Sequence, residues 1–277
     1  MLTLMYITNK PQIAQIAQIA GVDRIWIDME YIGKKERQGG LDTVQLHHTF
    51  DDIMRLRRVV TSSQLMVRIN PIHGSTKEYC STEEEIEKTL SSGADVIMLP
   101  YFRTAREVER FIRAVDGRAI TMILLETVDA VTHMSEILSV SGIDEVHIGL
   151  NDLHLSYHMK FMFELLADGT VKRICEQIGR SGIKYGFGGI ARIGFGLLPA
   201  EYIITEHYAL GSTAAILSRG FCDANIAQNP HEIEGLFIDG IKNIRAKEKE
   251  VEKYSKQQFD DNHEVIRQRV NAITKMD

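Results

Sequence analysis

The stretch ETVDAVTHMSEILSVSGIDEVHIGLNDL, residues 126–153, decides how the chain is read. It follows AITMILL (119–125) and contains EVHIG (145–149), two apolar runs with the length of buried strands. Between them Val128, Val131, Met134, Ile137 and Leu138 recur at helical spacing. A carboxylate stands just past each strand, Glu126 after the first and Asp152 after the second. Neighbouring strands of a parallel α/β sheet end on the same edge. The order strand, acid, helix, strand, acid therefore brings two carboxylates to one place. Such a pair can hold a hard divalent cation and leave its other positions to water and an oxygen-rich substrate. The competing reading makes both residues first-turn acids placed by the helix dipole.

Outward from this unit the alternation repeats. On the N-terminal side residues 2–8 read as a strand, and Pro11 opens a helix that Gly21 closes. RIWIDMEY (24–31) is a strand ending in Asp28, Glu30 and Tyr31, followed by the polar loop GKKERQGGLD (33–42). Thr49 caps a helix running to Val60. QLMVRIN (64–70) is a third strand that delivers Arg68 and Asn70 before Pro71, and DVIMLPY (95–101) is a fourth. Thr82 with Glu85, and Thr104 with Glu107, form capping boxes for the helices after these strands. On the C-terminal side a longer loop (153–169), a helix (171–180), IKYGFGGI (183–190), a helix (199–210) and TAAILSR (213–219) complete eight strand–helix pairs. That count is a (β/α)8 TIM barrel; a doubly wound open sheet would carry a glycine-rich fingerprint after its first strand, and none stands there.

The tail has another texture. Asn229 caps and Pro230 starts a long helix with Ile233, Phe237, Ile241 and Ile244 on one stripe. The charge run RAKEKEVEK (245–253) reads as its solvated face, and a second amphipathic helix covers about 263–273. The expected organisation is a barrel over residues 1–225 and a helical extension over 226–277. The extension packs on the barrel or on a neighbouring subunit, so a homo-oligomer is expected.

Composition bounds the partners. The 277 residues are 44% hydrophobic and 25% charged, as in ordinary globular enzymes. A net charge of -6 argues against nucleic acid, and no apolar run is long enough for a membrane span. Cys80, Cys175 and Cys222 are few and far apart, which suggests a reducing compartment without disulfides. The start MLTLMYITNK lacks the basic region and cleavage site of a signal peptide, so a cytoplasmic location is expected.

The strand end ID-x-E, then VRIN-P, GAD-V-I-M-LP, LET and GID…IG-x-NDL occur here in that order. In this the chain resembles the metal-dependent HpcH/HpaI aldolase and citrate lyase β-subunit family, over roughly residues 7–218. The resemblance implies a barrel of the pyruvate- and phosphoenolpyruvate-using kind. It also implies Mg2+ or Mn2+ held by Glu126 and Asp152, the pair already reached from spacing. It further implies that Arg68 contacts the keto oxygen of a small 2-oxo acid, and that the backbone amides of Gly149, Leu150 and Asn151 hold its carboxylate. The reaction so implied is carbon–carbon cleavage or formation in a 4-hydroxy-2-oxo acid through a pyruvate-type enolate. Metal and arginine then stabilise charge that develops in the transition state.

Two positions depart from the aldolase pattern. Tyr31 stands where those enzymes have a histidine base, and Leu124 where they commonly carry glutamine. A phenol titrates near 10, a poor base unless its pKa is lowered. His73, after a strand end, is the leading replacement base. Asp28 and Glu30 share a face of their strand and are candidates for orienting a base or water, while pairing with Arg68 is the structural alternative for all three. His47 and His48 read as solvent-exposed, His154 and His158 as loop residues despite their i, i+4 spacing, and His147 as a satisfied core histidine. GFGGIARIG (186–194), with Arg192, reads either as a phosphate loop or as a tight turn at the barrel mouth. Two alternatives therefore stand beside the lyase: a phosphoenolpyruvate- or phosphate-handling enzyme, and a catalytically silent metabolite-binding barrel.

Overall fold

A computed structural model describes residues 1–33, 48–222 and 229–276. His47, most of the polar loop at 33–42 and the expected boundary at 225/226 lie outside the described residues. Eight parallel strands close a barrel in sequence order: β1 (Thr3–Ile7), β2 (Arg24–Asp28), β3 (Gln64–Arg68), β4 (Val96–Leu99), β5 (Ile120–Leu125), β6 (Glu145–Ile148), β7 (Lys184–Ile190) and β8 (Ala214–Leu217). The predicted (β/α)8 barrel with extra C-terminal helices is the observed fold.

Alternation along each strand sorts side chains between two cores. Ile25, Ile27, Leu65, Val67, Ile97 and Leu99 join the shell between barrel and helices. Trp26, Met66, Met98, Met122 and Leu124 fill the barrel interior, and each fully buried large side chain contributes about 1.5–3 kcal/mol. Below them Arg24 donates to both oxygens of Glu145 at 2.6 and 2.7 Å and to Gln64, closing the N-terminal end of the barrel across β2, β3 and β6. On β7 a Cβ built at Gly186 would stand 2.3 Å from the Ala214 carbonyl oxygen, so only glycine lets β7 approach β8 there.

The helices are α1 (Pro11–Ile19), α2 (Phe50–Arg57), α3 (Thr82–Ser91), α4 (Ala105–Val115), α5 (Val128–Thr132), α6 (Met134–Leu138), α7 (Leu150–Ser156), α8 (Glu164–Ala167), α9 (Thr170–Arg180), α10 (Ala200–Ala209), α11 (Pro230–Val251) and α12 (Lys256–Met276). Capping boxes open the three helices that follow β2, β3 and β4: Thr49 with Asp52, Ser81 with Glu84, and Thr104 with Glu107. The middle one corrects the expected Thr82–Glu85 box by one residue. Thr82 instead exchanges hydrogen bonds with His73, and Glu85 is buried. The single helix expected after β5 is two short ones that meet at His133.

The tail helices lie on the chain's own barrel, α11 against α1 and α10, and α12 against α10 and α8. The run at 245–253 is not wholly a solvated face. Glu248 is buried, accepts the Leu2 amide and pairs with Arg245, fastening α11 to the start of β1. Among the described residues no helix is long and apolar enough to cross a membrane.

Candidate active site

Four buried carboxylates and one guanidinium, Arg68, stand at the C-terminal ends of the strands. Asp28 ends β2, Glu30 follows two residues on, Glu126 follows β5, and Asp152 lies in the first turn of α7; their exposures run from 0% to 8%. Arg68, the last residue of β3, donates from Nε and Nη2 to the two oxygens of Asp28 at 2.8 and 2.7 Å. Its Nη1 lies 3.3 Å from Glu30 Oε2, and its guanidinium packs over the Trp26 ring at 4.9 Å. Burial works against the charge on Arg68, but Asp28 and Glu30 outweigh it and hold its pKa well above the ordinary value. The structural pairing foreseen as an alternative role for Arg68 is thus present.

Glu126 is the electrostatic focus. Its carboxyl is pushed well above the usual carboxylate range, first by burial, then by the charges of Asp152 and Glu30; Arg68 and the Tyr101 amide act the other way. Tyr101 donates its N–H to Glu126 Oε1 at 2.9 Å from a left-handed backbone conformation, φ 50°. Holding a non-glycine residue there costs about 1–3 kcal/mol, which the surrounding fold absorbs to aim that amide. The other oxygen, Oε2, lies against Gly149, where a built Cβ would stand only 2.8 Å away. With all four acids ionised against one guanidinium the centre carries a formal charge of −3.

Several expectations need correction. The Gly149 amide donates to the Leu125 carbonyl at 3.0 Å, so it cannot also receive a substrate carboxylate. Leu150 and Asn151 open α7, where first-turn amides have no intrahelical acceptor. The Tyr31 phenol is raised further above its ordinary pKa, by burial and then by Glu85, Cys80 and Glu78, and its ring stands edge-on to Tyr79 at 5.2 Å. It remains protonated at neutral pH and is not a resting base. His73 has both ring nitrogens against carbonyl oxygens, Pro71 at 2.7 Å and Cys80 at 2.9 Å, which ties it into the β3–α3 loop. His154 is on α7 and buried, its Nδ1 against the Leu150 carbonyl. His147 is buried with Nε2 near the Gly188 carbonyl, but Nδ1 has no hydrogen-bond partner. In the segment 186–194, Gly188 (φ 49°) lets β7 pack on Leu150, the Gly194 amide goes to Glu201, and Arg192 stacks on Phe195 at 4.2 Å.

Sequence reasoning missed His48 and Tyr101. His48 is buried, not exposed: its Nδ1 accepts the Asp28 N–H at 3.0 Å and its own amide faces the Asp28 carbonyl at 3.4 Å. β1 ends at Ile7, and His48 takes the pairing position beside β2 beyond that point. Leu124, in the barrel interior below Glu126, adds an apolar floor.

The family model described as HpcH/HpaI aldolase/citrate lyase matches residues 2–162. Among solved structures, the chain is similar to a HpcH/HpaI aldolase/citrate lyase family protein from Burkholderia cenocepacia J2315 with a TM-score of 0.60 and 14% identity, over 78% of this chain and 87% of that one. It is similar to the HpcH/HpaI aldolase from Desulfitobacterium hafniense DCB-2 with a TM-score of 0.58 and 18% identity, over 78% and 86% of the two chains. The citrate synthase SbnG gives a TM-score of 0.59 and 17% identity, again over 78% and 86%. At these identities the likeness speaks for the fold. No curated protein sequence matches.

Proposed function

The chain belongs to the HpcH/HpaI aldolase/citrate lyase family, and from that premise we propose that it is a metal-dependent carbon–carbon lyase. Its substrate on this reading is a small 4-hydroxy-2-oxo acid or related acid, cleaved or formed through a pyruvate-type enolate. One observation carries the proposal: Arg68 is already taken up by Asp28 and Glu30, while the buried Glu126 is pushed well up by burial and by the charges of Asp152 and Glu30. Such a centre calls for added positive charge. Glu126 and Asp152 would hold a divalent ion of the Mg2+ or Mn2+ kind, whose preference for carboxylate oxygen fits this donor set. Among the described residues no three acidic, histidine or cysteine groups come together as one ligand set. The remaining ligands would therefore be water and substrate oxygens. When bound, the ion supplies electrophilic stabilisation for negative charge growing on a keto oxygen.

The chain's own residues prepare the rest. A guanidinium has five N–H groups. Arg68 commits two to Asp28 and turns Nη1 to Glu30, which leaves donor capacity for a substrate oxygen. Clamped by both acids over Trp26, it is in place before substrate arrives and costs little reorganisation in the transition state. The first-turn amides of Leu150 and Asn151 would receive the substrate carboxylate, with Gly149 providing room for Glu126 rather than a third donor. Tyr31, protonated at neutral pH, is suited to donate to an oxygen that gains negative charge.

The test follows two readouts with Mn2+ or with EDTA: exchange of the methyl protons of pyruvate for deuterium, and pyruvate release from a panel of 4-hydroxy-2-oxo acids. Exchange and release should depend on the ion and fall about 100-fold or more in Glu126→Gln. Their absence with every substrate in the presence of Mn2+ overturns the reading.

A further inference from the structure

We propose that Glu85, on α3, is a positioning residue for this centre: through Asn70 it fixes the backbone that presents Glu30 to Arg68. The functional meaning of this clamp rests on the reading above; its geometry does not. Glu85 is fully buried, and its Oε1 accepts from Asn70 Nδ2 at 2.9 Å, from the Asn70 amide at 3.2 Å and from the Tyr79 hydroxyl at 2.9 Å. Asn70 is itself fully buried just past the end of β3. Its Oδ1 accepts the amides of Tyr31 and Ile32, both at 3.0 Å. Those are the two peptide units that follow Glu30. On the near side the Glu30 amide donates to Asp28 Oδ1 at 3.2 Å, and the Glu30 carboxylate lies 3.3 Å from Arg68. Glu30 is therefore held from both directions.

The residue types follow from what each end of the clamp must do. A side-chain amide has donors at one end and an acceptor at the other. The two loop amides require the oxygen, so the NH2 group must face the acceptor that Glu85 supplies. Replacing Glu85 by an apolar residue strands the buried Asn70 donors and removes what holds the amide in this orientation.

The chain has one tryptophan, Trp26, and it lies under the Arg68 guanidinium, so its emission reports on that group without any substrate. The experiment compares Glu85→Ala, Glu85→Gln and Tyr79→Phe in the full chain by amide hydrogen exchange and Trp26 emission. Glu85→Ala should speed exchange at Tyr31 and Ile32 roughly tenfold and shift the emission. Glu85→Gln, which keeps one acceptor oxygen, should recover part of both. Tyr79→Phe leaves the two Asn70 bonds intact and should change neither. If Glu85→Ala lowers the melting temperature yet leaves Tyr31, Ile32 and Trp26 at wild-type values, the clamp is only structural and the inference is overturned. Should Glu85→Ala fail to fold, Glu85→Gln against Tyr79→Phe decides by the same two readouts. Neither involves pyruvate, so an inactive wild type would sink the proposed lyase without touching this result.

Discussion

At Gly149 a single methyl group reaches the centre. A Cβ there would stand 2.8 Å from Glu126 Oε2 and 3.0 Å from Glu126 Cβ, and the Leu124 side chain at 3.2 Å closes the third direction. Backbone strain is not the issue, since φ is −81°. Gly149→Ala must therefore displace the Glu126 carboxylate, and overpacking of this kind costs about 1–3 kcal/mol. The variant should fold, because the Gly149 amide keeps its bond to Leu125. Its affinity for Mn2+, measured by calorimetric titration, should fall by about 10–100-fold; unchanged affinity would mean that Glu126 is not a ligand. That Glu126 and Asp152 follow neighbouring strands was legible in the sequence because both come after apolar runs with the length of buried strands. The approach of Gly149 to Glu126 was not, since it depends on how two strand ends cross in space. For the same reason the sequence could not show that the Gly149 amide, expected to meet a substrate carboxylate, is taken by the Leu125 carbonyl. His48 was misread because nothing near it in sequence shows that β1 stops short and leaves a place beside Asp28.

Between elements, the docking of α12 on α10 includes a titratable contact that changes charge near neutral pH. Glu206 of α10 is buried and accepts from Asn262 Nδ2 at 3.0 Å, with His263 Nδ1 at 3.4 Å. The carboxylate raises His263 above its ordinary value of 6.5, with burial and the charges of Lys172 and Arg267 opposing it. A base whose folded pKa is raised stabilises fully below its unfolded pKa and loses that contribution as pH rises through the folded value. Because His263 is 37% exposed, solvent screening limits the effect to about 1 kcal/mol or less. Amide exchange of α12 should therefore quicken as pH rises from 6 to above 8, beyond the intrinsic increase of exchange with pH. His263→Gln should lack that excess, and an excess that survives the substitution excludes this pair as its source. The start of this helix shows a signal that could have been read. Ser255 and Gln258 cap it reciprocally, Ser255 N to Gln258 Oε1 at 2.9 Å and Gln258 N to Ser255 Oγ at 3.4 Å. An S-x-x-Q box at 255–258 thus marks a helix that apolar periodicity alone began at about 263. In α3 the opposite happened: two overlapping box patterns, 81–84 and 82–85, stood in one stretch. The choice of the second hid the buried role of Glu85, and only the tertiary partner Asn70 distinguishes them.

Across the whole molecule, contacts between distant strands set what local pattern cannot reveal. Arg24 and Glu145 are 121 residues apart, yet join across the barrel. His147 and His207, on β6 and α10, are both fully buried, each with one ring nitrogen lacking a partner. Burial depresses His147 to about 4 and His207 to about 3, and proximity to His147 adds to the latter. Both are neutral in the folded chain and become cationic near 6.5 once unfolded. A depressed folded pKa contributes stability that is complete above the unfolded value and lost as pH falls toward the folded one. The window is therefore pH 6.5 down to about 4 for His147 and to about 3 for His207. Near pH 5 each unfolded histidine binds about one proton that its folded counterpart does not, a slope of about 1.4 kcal/mol per pH unit apiece. Urea titrations between pH 5 and 7.5 should show this loss, and His207→Gln should reduce the slope by about one proton's worth. Repacking around the glutamine changes absolute stability at every pH but leaves the slope to report proton uptake alone. A slope that His207→Gln does not alter would mean that His207 does not take up the proton, and His147→Gln is then the variant whose slope must move; Glu126, raised in the folded chain, contributes with the opposite sign.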